Sequence, residues 1–357
     1  MTRVWDVPVH DATRLRDVRM ATEEACGHAG FGEDREAAAM LVATELATNL
    51  LKHAGGGQIL LETVDAPAGA DTGGEPSALQ IVTIDHGPGI RDVSAALHDG
   101  FSTTASLGAG LGTCRRLADD FDLHSRPGRG TVALARIRRS SRLRRGRRDR
   151  PAGVPAVRAG GVNIPLVEGH SGDAWACARS GERLTLLLAD GLGHGPRAAE
   201  ASDAAVRQLR QSPHLTPPEL LGALHTALRD TRGAAVAVAQ LDLAAERLEF
   251  SGIGNVGARL RSGDDWQPLV SHPGIVGAHR PARVPHQRLP WTPDSLLVLH
   301  SDGLPSRWSL RPDVPAAGLD PGVTAALIVR DSSSSARPVR DDTTVAVLSP
   351  PPPNREP

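Results

Sequence analysis

Two glycine-rich turns bound a stretch whose residue types suit a nucleotide. Asp85 follows an apolar run typical of a buried strand, and Gly87 and Gly89 come just after it. A carboxylate there can accept a hydrogen bond from an exocyclic amine, and the glycines let the backbone approach a flat base. A second set precedes a helix-like segment: Gly108, Gly110 and Gly112. Free N–H groups at a helix start favour phosphate, so the stretch predicts adenine at one end of a pocket and phosphates at the other.

A polar stripe on the preceding segment would complete this pocket. Residues 32–56 predict a long helix that closes at Gly55. The side chains expected to be buried on it are Ala38, Leu41, Leu46 and Leu50. Glu45, Asn49 and Lys52 are spaced by four and three residues, so they can share one face. They suit a magnesium triphosphate, with Asn49 for the metal, Lys52 for phosphate and Glu45 for a proton. The alternative is a solvated polar stripe, although Lys52 is the only lysine in the chain.

Aspartates beside short apolar runs form a second pattern, in the C-terminal half. They are Asp173, Asp190, Asp302, and Asp341 with Asp342. Any one of them, next to glycine, is more typical of a turn. In a packed sheet, however, several could converge on one rim, where unpaired carboxylates would need cations between them. Hard oxygen ligands select Mg²⁺ or Mn²⁺.

The N-terminal motifs resemble a known superfamily. ELATNLLKHA, DHGPGI and DGFSTTASLGAGLG, in this order and spacing, resemble the N, G1 and G2 boxes of the GHKL ATPases. Within that superfamily they are most similar to the switch kinases and anti-sigma-factor kinases that act on STAS-domain proteins. The resemblance implies ATP with Mg²⁺. It assigns Asn49 as a magnesium ligand, Glu45 as the general base and Asp85 as the adenine acceptor. The phosphate lid that it implies consists of Gly108, Gly110 and Gly112. His53 and Thr131 fall at positions that often line the site, with a core or strand-end role as the alternative.

The C-terminal motifs GD, ADGLGHG, SDGL and DDTTVAV resemble the metal-dependent PPM phosphatases, particularly the SpoIIE-like branch. The resemblance implies two Mn²⁺ or Mg²⁺ ions and a water that attacks phosphorus without a phospho-enzyme. Asp190 would bridge the ions, with the Gly191 carbonyl as a further ligand. The remaining ligands implied are Asp173, Asp302 and Asp341. The family often has another acidic residue soon after the first GD, whereas this chain has GDAWACA, which argues against a third metal site.

Three residues beside the C-terminal aspartates are expected to take no direct part in the chemistry. Asp342 follows a presumed ligand and is expected to support it. His194, in GLGHG, is expected to pack or to cap the next helix. Asn255, in GIGNVGARL, resembles a family loop position, and no chemistry is assigned to it.

The elements that would position these residues indicate an α/β (α+β) protein of two domains. The N-terminal domain, residues 1–138, is expected to be a GHKL (Bergerat-type) α/β sandwich with one mixed sheet covered by helices. The elements predicted in it are strands at 4–9, 58–64 and 78–84, helices at 12–31, 32–56 and 114–121, and a hairpin at 122–137. The C-terminal domain, residues 158–349, is expected to be a PPM-type α-β-β-α sandwich with helices at 196–210 and 217–230 on one side. An Arg- and Pro-rich linker at 139–157 and a disordered tail at 350–357 complete the chain, and residues 330–342 predict a flexible insertion.

Composition narrows the class of protein. A chain of 357 residues can bury two cores, and a formal charge of −1 gives no global field for nucleic acid or an anionic membrane. The three cysteines are widely spaced, which supports neither a disulfide framework nor a zinc site. No apolar run approaches a bilayer span and no signal peptide is evident, so we expect a cytoplasmic protein without nucleic-acid or membrane partners.

Two functions of different class follow. The first is a bifunctional enzyme whose N-terminal domain phosphorylates a serine or threonine of a STAS-type anti-sigma antagonist and whose C-terminal domain hydrolyses such phosphoesters. The second is a phosphatase whose ATP-binding half is a docking module for the antagonist, a sigma factor or an anti-sigma factor. Glu45, the candidate base, favours the first.

Overall fold

The computed structural model describes residues 3–64, 78–97, 110–140, 157–166, 169–279, 284, 286–311, 314–315, 317–332 and 341–351. The chain divides into two compact units, one of residues 3–66 and 75–144 and the other formed chiefly by residues 145–357. Of the helices described, none combines the length and the apolar composition needed to cross a membrane.

The N-terminal unit contains one five-stranded sheet. Its strands are β1 (Val4–Val9), β2 (Gly57–Val64), β3 (Ala78–Ile84), β4 (Asp120–Arg126) and β5 (Gly130–Arg138). Their order is β1-β2-β3-β5-β4, and every neighbouring pair is antiparallel. The prediction of a mixed sheet was therefore wrong. Two successive helices between β1 and β2 return the chain antiparallel, whereas a parallel pair needs a single crossover.

Helices cover one face of this sheet. They are α1 (Arg14–His28), α2 (Glu33–Asn49), α3 (Val93–Ala96) and α4 (Leu111–Leu117). A π-helical turn, Leu50–Ala54, continues α2 and closes at Gly55, where φ is 73°. The core between α1, α2, α4 and the sheet includes Val42, Leu46, Ile59, Leu79 and Ile81. These elements form the expected α/β sandwich.

Three sequence predictions in this unit need correction or completion. Leu46 and Leu50 are buried as expected, but Leu41 is 44% exposed and Ala38 is half-buried. Leu41 lies outside the stripe of Ala39, Val42 and Leu46, which keeps the i, i+3, i+7 spacing of a buried face. The helix predicted at 114–121 ends early, because the backbone N–H of Asp119 already donates to the carbonyl of Arg136 in the sheet (2.9 Å).

The C-terminal unit contains two five-stranded antiparallel sheets. Sheet I has the order β13-β10-β9-β8-β7, and its strands are β7 (Asp173–Ser180), β8 (Arg183–Gly191), β9 (Ala234–Asp242), β10 (Arg247–Ile253) and β13 (Gln287–Pro290). Sheet II has the order β12-β11-β14-β15-β6, and its strands are β6 (Arg158–Ile164), β11 (Gly257–Ser262), β12 (Asp265–Leu269), β14 (Leu296–His300) and β15 (Thr343–Ser349).

The two sheets pack face to face. Leu186 and Leu188 of β8 lie in the core between the sheets with Leu299 and Leu348 of sheet II, whereas Leu187 lies in the core under the helices. This alternation is the period of two along a strand. Helices α5 (Pro196–Gln211) and α6 (Pro217–Ala227) cover sheet I, as predicted.

A further helix, α7 (Pro321–Ser332), packs on β6 and β15 and completes the α-β-β-α order. The sequence did not predict it, because Pro321 to Arg330 are all buried and no amphipathic stripe marks the segment. Its last turn lies within the predicted insertion. Residues 333–340 and the tail beyond Pro351 lie outside the described residues.

Candidate functional site

The N-terminal unit has a cavity of about 530 Å³ at the end of α2. That volume lies within the range of small-ligand pockets. The predicted residues that line it are Glu45, Asn49, Lys52, Asp85, Gly89 and Gly110, together with His53 and Thr131. The sequence patterns from three separate segments therefore meet at one cavity.

Asn49 and Lys52 reach this cavity because α2 passes into the π-helical turn. Asn49 is the last residue of α2, and Lys52 lies within the following turn. The side-chain nitrogen of Asn49 is buried without a hydrogen-bond partner. A buried amide without a partner is costly, so this group fits a bound polar ligand better than an empty cavity.

Glu45 lies one helical turn before Asn49 on the cavity wall. Burial raises the pKa of the Glu45 carboxyl, and the positive charge of Lys52 opposes part of that rise. A carboxylate with a raised pKa is a stronger base, which suits the removal of a hydroxyl proton.

Asp85 is held rigidly at the end of β3. Its Oδ1 accepts hydrogen bonds from the backbone N–H of Gly87 (2.8 Å) and of Thr131 (3.1 Å). Its own N–H donates to the carbonyl of Thr131 (3.0 Å), and the residue is 6% exposed. The carboxylate is thus fixed in orientation at the cavity wall, as an acceptor for adenine requires.

The glycines after Asp85 serve close packing of the protein itself. A β-carbon on Gly87 would lie 2.6 Å from Cα of Ala54, and one on Gly89 would lie 1.9 Å from the carbonyl oxygen of Arg126. Gly89 also has φ of 71°, which favours glycine. Only Gly89 of this pair lines the cavity.

The second glycine set is only partly on the cavity. Gly110 precedes α4 and lines the cavity, whereas Gly112 is buried within α4 and does not line it. Gly108 lies outside the described residues. The predicted phosphate role thus has a geometric basis at Gly110, whereas the burial of Gly112 points to helix packing.

The C-terminal unit gathers carboxylates along one rim of its sandwich. Asp173 opens β7 directly opposite Asp190 on β8. Asp302 follows β14 and Asp341 precedes β15, and these two strands are neighbours in sheet II. The carboxylates of both sheets therefore lie at the same end of the sandwich.

Asp342 joins the two halves of this rim. Its Oδ1 accepts from the backbone N–H of Leu166 and its Oδ2 from that of Gly172, each at 2.7 Å. The carbonyl of Gly172 in turn accepts from the N–H of Gly191 (2.9 Å). Both oxygens of Asp342 are thus used in holding loops, and its support of a metal ligand stays a prediction.

The electrostatics show that these carboxylates lie within each other's fields. Burial, followed by the charges of Asp302, Asp341 and Asp342, raises the pKa of Asp190 to about 7. Burial and the charge of Asp190 raise the pKa of Asp173 well above its usual range. The rim is therefore poised to bind cations that compensate the accumulated charge.

Hard divalent ions fit this rim chemically. Oδ2 of Asp173 is buried without a hydrogen-bond partner, so it offers an uncompensated acceptor. In the described part of the chain, no three His, Cys, Asp or Glu side chains enclose a point where a metal would sit, so the carboxylates line the rim without forming a closed shell. Carboxylate oxygens are the donors that Mg²⁺ and Mn²⁺ prefer, and the predicted ligands remain Asp173, Asp190, Gly191, Asp302 and Asp341.

Two neighbouring residues differ from expectation. The amide of Asn255 donates a hydrogen bond to Oδ2 of Asp302. Burial and then the charge of Asp341 raise the pKa of the Asp302 carboxyl, and this hydrogen bond offsets part of that rise. The sequence offered only the loop motif GIGN as a signal for this contact. His194 is exposed and α5 has no side-chain cap, so the packing or capping interpretation was wrong.

Comparison with known proteins identifies relatives of both units. The family model described as Stage II sporulation protein E (SpoIIE) matches residues 180–350, and the one described as Histidine kinase-like ATPase domain matches residues 9–136. The serine/threonine-protein kinase RsbT of Bacillus subtilis (strain 168) is 44% identical over 106 residues, which are 30% of this chain and 74% of that protein.

Solved structures are similar at lower identity. The PP2C phosphatase domain of SpoIIE from Bacillus subtilis, with a fragment of its regulatory domain, gives a TM-score of 0.49 at 16% identity, covering 96% of this chain and 97% of that one. RsbX in complex with magnesium gives a TM-score of 0.46 at 17% identity, covering 56% of this chain and 98% of that one.

Proposed function

The chain belongs to the family of the serine/threonine-protein kinase RsbT in its N-terminal part and carries a SpoIIE-type phosphatase domain in its C-terminal part, and from this premise we propose that it is bifunctional. One unit phosphorylates a serine or threonine of a protein, and the other removes phosphate from the same class of residue. The substrate we propose is a STAS-type regulator of a partner-switching pathway, with an anti-sigma or sigma factor as a further partner.

In the N-terminal unit, the residues at the cavity divide the work of phosphoryl transfer. Asp85 accepts from the adenine amine, Lys52 attracts the phosphates, and Asn49 would hold Mg²⁺. Glu45 takes the proton of the attacking hydroxyl, while the hydroxyl oxygen bonds to the γ-phosphorus and ADP leaves. Balanced, ATP and a protein hydroxyl give ADP and a phosphoprotein.

In the C-terminal unit, Asp173, Asp190, Asp302, Asp341 and the carbonyl of Gly191 would hold two Mn²⁺ or Mg²⁺ ions. When bound, these ions supply an acidified water and stabilise charge at phosphorus. Asp342 keeps the loops of Leu166 and Gly172 in place, and Asn255 orients Asp302. Balanced, the phosphoprotein and water give the free hydroxyl and inorganic phosphate.

The observation that carries the phosphatase proposal is the antiparallel pairing of Asp173 with Asp190, with an unpartnered buried oxygen on Asp173. For the kinase proposal, the corresponding observation is the position of Glu45 on the same cavity wall as Asn49. The second candidate, an ATP-binding docking module, needs no base, so the raised pKa of Glu45 favours catalysis.

Labelled ATP tests both halves. The purified chain is incubated with γ-labelled ATP and candidate STAS proteins, with Asn49→Ala, Glu45→Gln and Asp190→Ala as variants. We expect Asp190→Ala to accumulate labelled partner, because it retains the kinase and lacks the phosphatase. Asn49→Ala and Glu45→Gln should leave the partner unlabelled.

The outcomes separate the two functions. A partner that stays unlabelled by wild type and by Asp190→Ala, yet binds to the ATP-loaded chain, supports the docking module and rejects transfer. Hydrolysis of p-nitrophenyl phosphate with Mn²⁺ that survives Asp190→Ala combined with Asp302→Ala rejects the metal assignment.

A further inference from the structure

An exposed cation lies beside the loop that follows Asp190. Arg232 is exposed on the loop between α6 and β9. A β-carbon built on Gly193 would lie 3.0 Å from Nη1 of Arg232, and Gly193 is only three residues beyond Asp190. Among the residues that the structure describes, none forms a hydrogen bond or an ion pair with this guanidinium. The Arg232 side chain is therefore available to a ligand that enters the rim.

The backbone on both sides of Arg232 is fixed. The carbonyl of Gly233 accepts from the N–H of Leu192 (3.0 Å), which joins the Arg232 loop to the loop after Asp190. Oγ1 of Thr231 accepts from the N–H of Gly233 (3.0 Å) and donates to the carbonyl of Leu228 (2.8 Å). The cation thus sits on a rigid loop, which limits the entropy lost when it binds a ligand.

Charge defines the ligand that suits this position. The rim carries several carboxylates, which repel a phosphomonoester dianion. A guanidinium forms paired hydrogen bonds with two oxygens of a phosphoryl group and keeps its charge at any working pH. His194 is the other exposed basic side chain of the neighbouring loop, and its charge acts on Asp342 within the rim. Arg232, in contrast, has no acidic partner among the described residues.

We propose that Arg232 binds the peripheral oxygens of the phosphoryl group of the phosphoprotein and so positions it at the rim. The inference rests on the proposed phosphatase function and adds a residue that neither the sequence motifs nor the metal assignment required. Arg232 takes no part in bond formation, and its contribution is to substrate binding.

Steady-state kinetics on the full chain test the proposal. The substrates are a phosphoserine peptide and p-nitrophenyl phosphate with Mn²⁺, and the variants are Arg232→Ala, Arg232→Lys and Arg229→Ala. Arg229 is an exposed arginine of the same segment and serves as the matched control. We expect Arg232→Ala to raise KM and the inhibition constant of inorganic phosphate about 10- to 100-fold, the range for charged hydrogen bonds, with kcat within about threefold. Arg232→Lys should recover part of the loss, and Arg229→Ala should match wild type.

The outcomes distinguish this inference from the function on which it rests. If Arg232→Ala leaves KM and phosphate inhibition unchanged while Asp190→Ala abolishes turnover, the Arg232 assignment is wrong and the phosphatase stands. A shift in the Mn²⁺ concentration for half-activation, or a lower melting temperature, would mean that Arg232 acts structurally, which also overturns it. If wild type hydrolyses neither substrate with Mn²⁺, the phosphatase function itself fails.

Discussion

Asp173 lies directly opposite Asp190 across the β7–β8 ladder, which places two carboxyl groups side by side at one end of the sheet. Asp173 is 2% exposed, and one of its oxygens has no hydrogen-bond partner. Without a cation, the folded protein must either keep a proton on this pair or bear the repulsion of two charges. The metal-free fold should therefore respond to pH, to metal and to removal of either charge.

The stability of the metal-free chain should fall as the pH rises from about 4 to about 7. The pKa of Asp190 is raised from 3.8 to about 7, so the folded state binds the proton more tightly than the unfolded state. The loss of stability is absent below the pKa of Asp190 in the unfolded chain and complete above its pKa in the folded chain. It amounts to roughly 2–4 kcal/mol. Urea unfolding in EDTA would measure it. Asp190→Asn should flatten the dependence of stability on pH. Asp265 is an exposed carboxylate of β12, and Asp265→Asn should leave that dependence unchanged. A wild-type stability that does not change with pH would contradict the raised pKa of Asp190.

Mn²⁺ affinity should weaken as the pH falls below 7. The raised pKa of Asp190 means that protons compete with the metal, and each proton displaced changes the dissociation constant about tenfold per pH unit. Calorimetric titration in buffers of different ionisation enthalpy would give both the affinity and the number of protons released. Equal affinities at pH 6 and pH 8, with no proton release, would show that Mn²⁺ binds away from this rim.

Substitutions at Asn49 and Glu45 should affect nucleotide binding and phosphoryl transfer separately. Asn49→Ala removes the proposed magnesium ligand, so MgATP affinity should fall about tenfold or more. Glu45→Gln keeps the size and removes the base, so it should bind MgATP within about threefold of wild type and yet transfer no phosphate. Fluorescent-nucleotide binding and labelled-phosphate transfer measure the two effects. Full affinity in Asn49→Ala would remove this residue from the site.

Gly89→Ala should be more destabilising than Gly128→Ala, although both positions have φ of 71°. A β-carbon on Gly89 would lie 1.9 Å from the carbonyl oxygen of Arg126, whereas nothing lies within 4 Å of one on Gly128. Gly128→Ala should therefore lower the free energy of unfolding only through backbone strain, by about 1 kcal/mol. Gly89→Ala adds the steric clash, so it should lower the free energy of unfolding by about 2 kcal/mol or more in total. Urea denaturation compares them. If both variants lose the same free energy of unfolding, the loop after Asp85 can shift at little cost, and so can the cavity wall that it forms.

The elements of this fold followed from sequence where a pattern was periodic. The amphipathic helix α1 was predicted from its own residues, whereas α7 was missed because a helix buried on all sides has no stripe. Strand direction was also misjudged, since it depends on how many helices connect the strands. The meeting of Asp190 with Asp302 was one possibility that the residues left open and that the family resemblance implied, because no local pattern places residues of different sheets together. For the contact of Asn255 with Asp302, the loop motif GIGN was the one signal in the sequence, and it named no partner.

Asn255→Ala tests whether that contact tunes the metal site. Burial and the charge of Asp341 raise the pKa of Asp302, and the amide hydrogen bond offsets part of that rise. Without the amide, Asp302 should be a more readily protonated and less oriented ligand, so Mn²⁺ affinity should fall about 10-fold or more at pH 7, and the loss should shrink at higher pH. Gln208→Ala is the matched control, since its amide donates to Oγ of Ser212 (3.1 Å) near the end of α5 and contacts no carboxylate through that bond. Calorimetry with Mn²⁺ at pH 7 and pH 8.5 measures both variants. If Asn255→Ala binds Mn²⁺ as wild type does at both pH values, the hydrogen bond only shapes the loop, and Asp302 holds its metal without that support.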